Sequence, residues 1–172
     1  MFLVKYINED FIEKQFDNTE KDKMRRLELE IWLTAEADEM WSWVQYKKNQ
    51  RWLWWIIDKK TGEVLGFTFG RRTNEVWKLL LEDLKEVLAK YDVSYDILYT
   101  DGHQAYQVLL FTALHVENNW GKNYTWQIER MHLTLRTRIK RLERRTICFS
   151  KCEILHDIII GLFINSYWFN SA

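Results

Sequence analysis

The chain has 172 residues, close to one domain's worth, and its 47% apolar and 29% charged residues exclude a disordered tail and a collagen-like fibre. Basic and acidic residues balance at 25 each, so the whole-chain charge names no partner. No apolar run approaches the ~18 residues of a membrane span, and two cysteines, Cys148 and Cys152, are too few for a disulfide framework or a zinc site. The first ten residues hold two acids and no small-residue cleavage site, so a reducing, cytoplasmic location without a membrane partner is expected.

Ten tryptophans and no proline mark the composition. The tryptophans imply a heavy aromatic core or a stacking surface, and composition leaves both open. Residues 1–32 are charge-dense and weakly periodic, which predicts an extension, helical or partly ordered, outside a main domain at 33–172. Residues 31–46 read as a strand with an acidic knot at Glu36, Asp38 and Glu39. Residues 51–57 form a near-continuous apolar run suited to a buried strand. The turn Asp58-Lys-Lys-Thr-Gly62 leads into a third strand at 63–70, and short loops join the three as an antiparallel meander.

The period then changes. Val76, Leu80, Leu84 and Val87, flanked by Trp77, Leu81 and Leu88, predict a helix of about four turns. A short strand at 97–100 ends at Asp101-Gly102, a short helix spans 103–111, and a fifth strand lies at 113–116. After a polar loop at 117–124, Ile128, Met131, Leu135, Ile139 and Leu142 predict a long helix over about 125–144. Ser150 and Glu153 form a capping box for the last helix, with Phe149 and Ile154 as its hydrophobic staple. A meander followed by alternating strands and helices makes a mixed five-stranded sheet with flanking helices, the order of the ribonuclease H fold.

Charge is unevenly placed. Nine basic residues against two acids between Gly121 and Lys151 give this stretch a charge of +7. The stripe is either a site for a polyanion or a solvated helix face. Three acids fall where that choice matters. Asp38 lies within the first strand, Asp101 closes the fourth, and Glu129 lies in the first turn or so of the basic helix. Neighbouring strands can bring the two aspartates to one end of the sheet, with Glu129 approaching from above. Gathered carboxylates suit Mg²⁺ or Mn²⁺, hard ions that take oxygen ligands. A pair of such ions ~3.5–4 Å apart suits phosphodiester chemistry. Each acid also has a plain reading: a solvated strand end, a common Asp-Gly turn, and a favourable charge at a helix N-terminus. Along the helix, Glu129, His132, Arg136 and Lys140 step by three, four and four residues and share one edge. Arg136 is placed to meet a substrate phosphate. His132 either positions substrate or is merely solvated, and Arg141, Arg144 and Arg145 extend a phosphate track.

The stretches EADEMWSWV (36–44), KKNQRWLWWIID (47–58), TGEVLGFTFGRR (61–72), YTDGHQAY (99–106), QIERMHLTLRTRIKRLERR (127–145) and FSKCEILHD (149–157) occur in this order. Together they resemble the catalytic part of insertion sequence 1 family transposases, over about residues 33–163. The resemblance implies a DDE recombinase with a ribonuclease H-like fold and a two-ion Mg²⁺ or Mn²⁺ site. It implies Asp38, Asp101 and Glu129 as catalytic, metal-holding residues, and Arg136 as the basic residue seven beyond the glutamate. It also implies a DNA-reading half of zinc-binding and helix-turn-helix modules. Residues 1–32 hold neither cysteine nor histidine, so that half is expected as a fused N-terminal module or a separate partner. The reading is a transposase catalytic domain acting on element ends and target DNA, with homo-oligomers assembling on DNA. Its rivals are a nuclease of the same fold, a non-catalytic DNA-binding regulator or relic, and an aromatic interaction module built on Trp41, Trp43, Trp52, Trp54 and Trp55.

Overall fold

Alternation along one long strand organises the molecule. Strand β2 (Thr34–Trp43) pairs with β3 (Gln50–Asp58), which pairs with β4 (Val64–Gly70), and both pairings are antiparallel. On its other side β2 runs parallel to β5 (Ile97–Thr100), which runs parallel to β6 (Leu114–Glu117). These five strands match the five expected. The sheet has a sixth, β1 (Lys5–Ile7), antiparallel to β4 at the outer edge, giving the order β1-β4-β3-β2-β5-β6. The computed structural model describes residues 5–14, 34–91, 93, 95, 97–107, 114–117 and 125–169.

Part of the expected extension therefore belongs to the fold. A helical stretch over residues 9–14 (α1) follows β1, and its Ile12 is fully buried in the core. A three-residue strand is too short for its period to show among charged neighbours. The remainder of 1–32 lies outside the described residues.

Two apolar layers flank the sheet. Odd positions of β2, such as Ala35 and Ala37, pack with Trp54 and Ile56 of β3 beneath helix α2 (Asn74–Lys90), which buries Trp77, Leu80, Leu81, Leu84 and Leu88. Even positions, such as Met40, pack with Leu53, Trp55 and Ile57. Over that second layer lie α3 (Trp126–Arg138), through Ile128, Met131 and Leu135, and α4 (Glu153–Ile164), which runs on as a π-helical turn, Asn165–Phe169. Trp54, Trp55 and Trp77 are wholly buried and serve the core, whereas Trp41, Trp43 and Trp52 are half-buried and Trp126 is exposed. Among the described residues no helix is long and apolar enough to cross a membrane.

Three helix expectations are corrected. The basic helix ends at Arg138, Ile139 turns extended, and Lys140–Leu142 form a separate 3₁₀ turn. Thr134 and Thr137 bond back to the carbonyls of Arg130 and Leu133, a habit that weakens helices. Cations at four-residue spacing would also repel along a longer helix, whereas Arg136 and Arg138 in a last turn suit its dipole. Second, Cys152 rather than Ser150 is the N-cap of α4, without a side-chain cap. Ser150 instead bonds His156, Glu153 accepts from Asn49, and Phe149 stacks on Trp43 while Ile154 stays exposed. Third, the described part of the expected 103–111 helix is a 3₁₀ turn, Gln104–Gln107. The expected 117–124 loop lies outside the described residues except for Glu117, which ends β6.

Candidate active site

Parity in β2 decides which acids meet. Asp38 shares the α3 face with its cross-strand partner Trp55, whereas Glu39 shares the α2 face with Trp54. The parallel register with β5, Glu36 opposite Tyr99, carries on to set Asp38 beside Asp101 at the strand's end. Gly102 turns the chain away with φ +80°, which a side-chain-bearing residue rarely adopts. Carboxylate oxygens of Asp38, Glu39 and Asp101 all lie within 4.8 Å of one another.

Each aspartate has one oxygen fixed by local backbone. The Glu39 N–H donates to Asp38 Oδ1 at 2.8 Å, and the His103 N–H donates to Asp101 Oδ1 at 3.0 Å. Oδ2 of each takes no backbone hydrogen bond and is the freer oxygen for a cation. Glu39 is held differently. Its Oε2 accepts from the buried Tyr106 hydroxyl, and its Oε1 accepts from Arg72 Nε at 2.7 Å. Arg72 itself lies over the Trp52 ring at 4.8 Å. With both oxygens engaged, Glu39 anchors the turn after Asp101 and the chain after β4, and is the weaker candidate for a ligand.

Glu129 sits in the first turn of α3 and is exposed. That turn is clamped from the sheet. Glu36 Oε2 accepts the Ile128 N–H at 3.2 Å, while its Oε1 pairs with Lys59 at 2.6 Å. The Gln127 amide donates to the Lys59 carbonyl at 2.7 Å and accepts from the Gly62 N–H at 3.2 Å. Gly62 has φ +78°, and a Cβ there would stand 2.5 Å from the end of the Gln127 side-chain amide.

Burial, then the negative charge of Glu39, and further Asp101 and Glu129, push the Asp38 carboxyl up to about 8. Among the described residues the cation paired into this cluster is Arg72, on Glu39. The all-oxygen donor set and this excess of negative charge fit a hard divalent cation.

The expected edge of α3 divides. His132 turns inward rather than being merely solvated: its ring lies nearly parallel to Trp55, centroids 5.3 Å apart, with Nε2 taking the Trp55 indole N–H at 2.8 Å and Nδ1 3.6 Å from Asp38 Oδ2. Burial, then the Arg136 charge, depress its pKa to about 3, so it is neutral. Arg136 is half-buried and donates to the Trp41 carbonyl at 3.3 Å. Lys140, Arg144 and Arg145 are exposed beyond the helix, and Arg141 donates to Ser150 Oγ at 3.2 Å.

The structure thus brings Asp38 and Asp101 together and places Glu129 within electrostatic reach of Asp38. Sequence reasoning missed the supporting roles of Glu36, Glu39, Arg72, Tyr106 and Trp55. The signal available was three acids, Glu36, Asp38 and Glu39, inside one largely buried strand.

The family model described as IS1 transposase matches residues 31–170. The chain belongs to the IS1 transposase family. Iso-IS1n protein InsB of Shigella dysenteriae is 42% identical over 137 residues, covering 80% of this chain and 98% of that protein. IS1 4 protein InsB of Escherichia coli (strain K12) is 38% identical over 136 residues, covering 79% and 76% of the two chains. The IS1 family match begins after β1 and α1, so the edge strand lies outside it. Among solved structures, the Mos1 mariner transposase catalytic domain is similar at TM-score 0.55 and 12% identity, covering 97% of this chain and 85% of that one. A second Mos1 catalytic-domain structure, with raltegravir and Mn, gives 0.50 and 13%. This is likeness of fold, and the fold of the IS1 family chain is ribonuclease H-like.

Proposed function

We propose that this chain is a DDE-type transposase catalytic domain that cuts phosphodiesters at element ends and joins the freed 3′-hydroxyl to target DNA. The observation that carries the reading is the meeting of Asp38 and Asp101 oxygens within 4.8 Å, where the charge of Glu129 also reaches Asp38. Asp38, Asp101 and Glu129 would hold two Mg²⁺ or Mn²⁺ ions. Bound there, the ions supply activation of a water or 3′-hydroxyl and neutralise charge on the leaving oxygen. The protein's part is to orient. Backbone N–H groups fix one oxygen of each aspartate, and Glu36 and Gln127 fix the helix that carries Glu129. Arg136 reaches toward the same end of the sheet to meet a substrate phosphate. Lys140, Arg141, Arg144 and Arg145 continue the phosphate contacts, and these are sequence-independent. The DNA-reading function belongs to a partner or fused module, and oligomers form on DNA.

The test is nicking and strand transfer on supercoiled DNA with Mg²⁺ or Mn²⁺, with and without a DNA-reading module supplied. Metal-dependent cutting with joining supports the reading. Cutting without joining assigns a nuclease, and DNA binding with neither reaction, even with the module supplied, assigns a regulator or relic.

A further inference from the structure

We propose that His132, set in one tautomer by Trp55, is a positioning residue that holds Asp38 with its Oδ2 turned toward the cation site. The inference rests on the reading of Asp38 as a metal ligand and adds the device that orients it.

An indole N–H can only donate. Trp55 Nε1 lies 2.8 Å from His132 Nε2, so that nitrogen must offer its lone pair. A neutral imidazole with Nε2 unprotonated carries its proton on Nδ1. Nδ1 is the nitrogen that faces Asp38 Oδ2, at 3.6 Å. That is too long for a hydrogen bond. The N–H dipole points its positive end at Oδ2 and biases the rotation of the carboxyl group, leaving the Oδ2 lone pairs open to a cation. Asp38 Oδ1 is already tied to the Glu39 N–H, so the two contacts together fix the carboxylate plane.

Three elements converge to build this. The β2–β3 register places Asp38 directly opposite Trp55, so both side chains rise on one face. Helix α3 lays His132 against both, one turn beyond Glu129. The orientation of Asp38 and the placement of Glu129 thus depend on a single helix. Partners of this kind, one step outside the ligands, typically matter ~10–100-fold in metal affinity or activity.

The test uses the whole chain. NMR of the metal-free protein with ¹⁵N-labelled histidine rings should show His132 as the Nδ1–H tautomer, and Trp55→Phe should release it toward the Nε2–H form common in water. By electron paramagnetic resonance, the Mn²⁺ concentration for half-saturation should rise ~10–100-fold in His132→Ala, with a smaller change in kcat at saturating metal. His132→Asn should restore much of the affinity, since an amide can accept from the indole and donate toward Asp38. The His132 variants change a partly exposed helix position and so remain informative if Trp55→Phe, in the core, fails to fold. A wild-type Nε2–H tautomer overturns the proposal. Mn²⁺ binding indifferent to His132 overturns it alone, while no Mn²⁺ binding by the wild type overturns the metal-site reading with it.

Discussion

The Glu36 carboxylate accepts the backbone N–H of Ile128 at 3.2 Å, so a strand side chain caps the helix that carries Glu129. Ile128 occupies the third helical position, where a cap side chain ordinarily reaches, and Thr125 at the N-cap makes no such bond. Glu36 lies two residues before Asp38 on the same face of β2. One strand therefore supplies a candidate ligand and fixes the helix bearing another.

Glu36→Ala should cost ~1–3 kcal/mol, because it leaves the buried Ile128 N–H at the start of α3 without its acceptor. Amide exchange at Ile128 and Glu129 should accelerate more than exchange in α2. Glu36→Gln keeps an acceptor and should lose less. Equal exchange in wild type and Glu36→Ala would remove the cap from the account.

A second expectation follows from the crowding at Asp38. Its carboxyl is raised to about 8 by burial and then by Glu39, so between the ordinary 3.8 and about 8 the folded chain binds more protons than the unfolded one. Stability from this group therefore falls as pH rises through that window. In chelator, unfolding free energy should decline from pH 6.5 to 8, and Asp38→Asn should flatten the decline. Saturating Mn²⁺ at ~100 times its Kd should add ~2.7 kcal/mol to the wild type and far less to Asp38→Asn. Calorimetry with and without Mn²⁺ checks both.

How much of this was legible before the structure depended on the range of each interaction. Strong periodicity fixed α2, and turn residues such as Asp58 and Gly62 fixed the meander, because those signals are local. Pairing of β5 beside β2 followed from topology, and with it the approach of Asp101 to Asp38. The end of α3 was not legible, since Ile139 and Leu142 continue a helical spacing but are buried from an extended residue and a 3₁₀ turn. Ser150 looked like a cap because its rival partner, His156, is a long-range contact made only in the fold. Trp55 and His132 looked like core and surface for the same reason: one indole N–H joins them across 77 positions.

His156 gives the acid side of the stability profile. The Ser42 hydroxyl donates to the Arg51 carbonyl at 2.6 Å, so it accepts from His156 Nε2–H, while the Ser150 hydroxyl donates to Nδ1 at 2.7 Å. The ring is neutral, its pKa depressed to about 4 by burial and then by Arg141 and Arg51. The unfolded chain takes up a proton near 6.5 that the fold refuses, so stability is present above 6.5 and lost as pH falls toward about 4. Urea titrations should show His156→Gln losing less stability than the wild type as pH falls across that range, where Asp38 acts in the opposite sense. An unchanged slope would assign the loss to other groups, His132 first.

Basic residues past α3 should contribute unequally to DNA binding. Arg144 and Arg145 are exposed, whereas Arg141 is held by Ser150. Each phosphate contact adds about −0.9 to the log–log salt slope. Arg144→Ala with Arg145→Ala should flatten that slope by up to ~2 without altering sequence preference. Arg141→Ala should change it less and lower stability more. Fluorescence titrations at several salt concentrations, beside thermal melts, separate the two effects.

Asp101→Asn should part binding from chemistry. The amide is nearly isosteric and its oxygen can still accept the His103 N–H, so the turn through Gly102 should persist. It removes an anionic oxygen from a cluster in which Asp38, Glu39 and Asp101 already repel, so Mn²⁺ affinity and metal-dependent nicking should both collapse. Removing that negative charge near the phosphates should leave DNA affinity in chelator equal or slightly higher. Arg136→Ala should weaken both binding and cleavage, because a guanidinium anchored on the Trp41 carbonyl has donors left for a phosphate. Nicking on supercoiled DNA, a DNA-binding titration in chelator and a separate Mn²⁺ titration read these outcomes. Cleavage that survives Asp101→Asn would remove the aspartate from the chemistry, and Arg136→Ala cleaving normally would place the phosphate elsewhere on the basic segment.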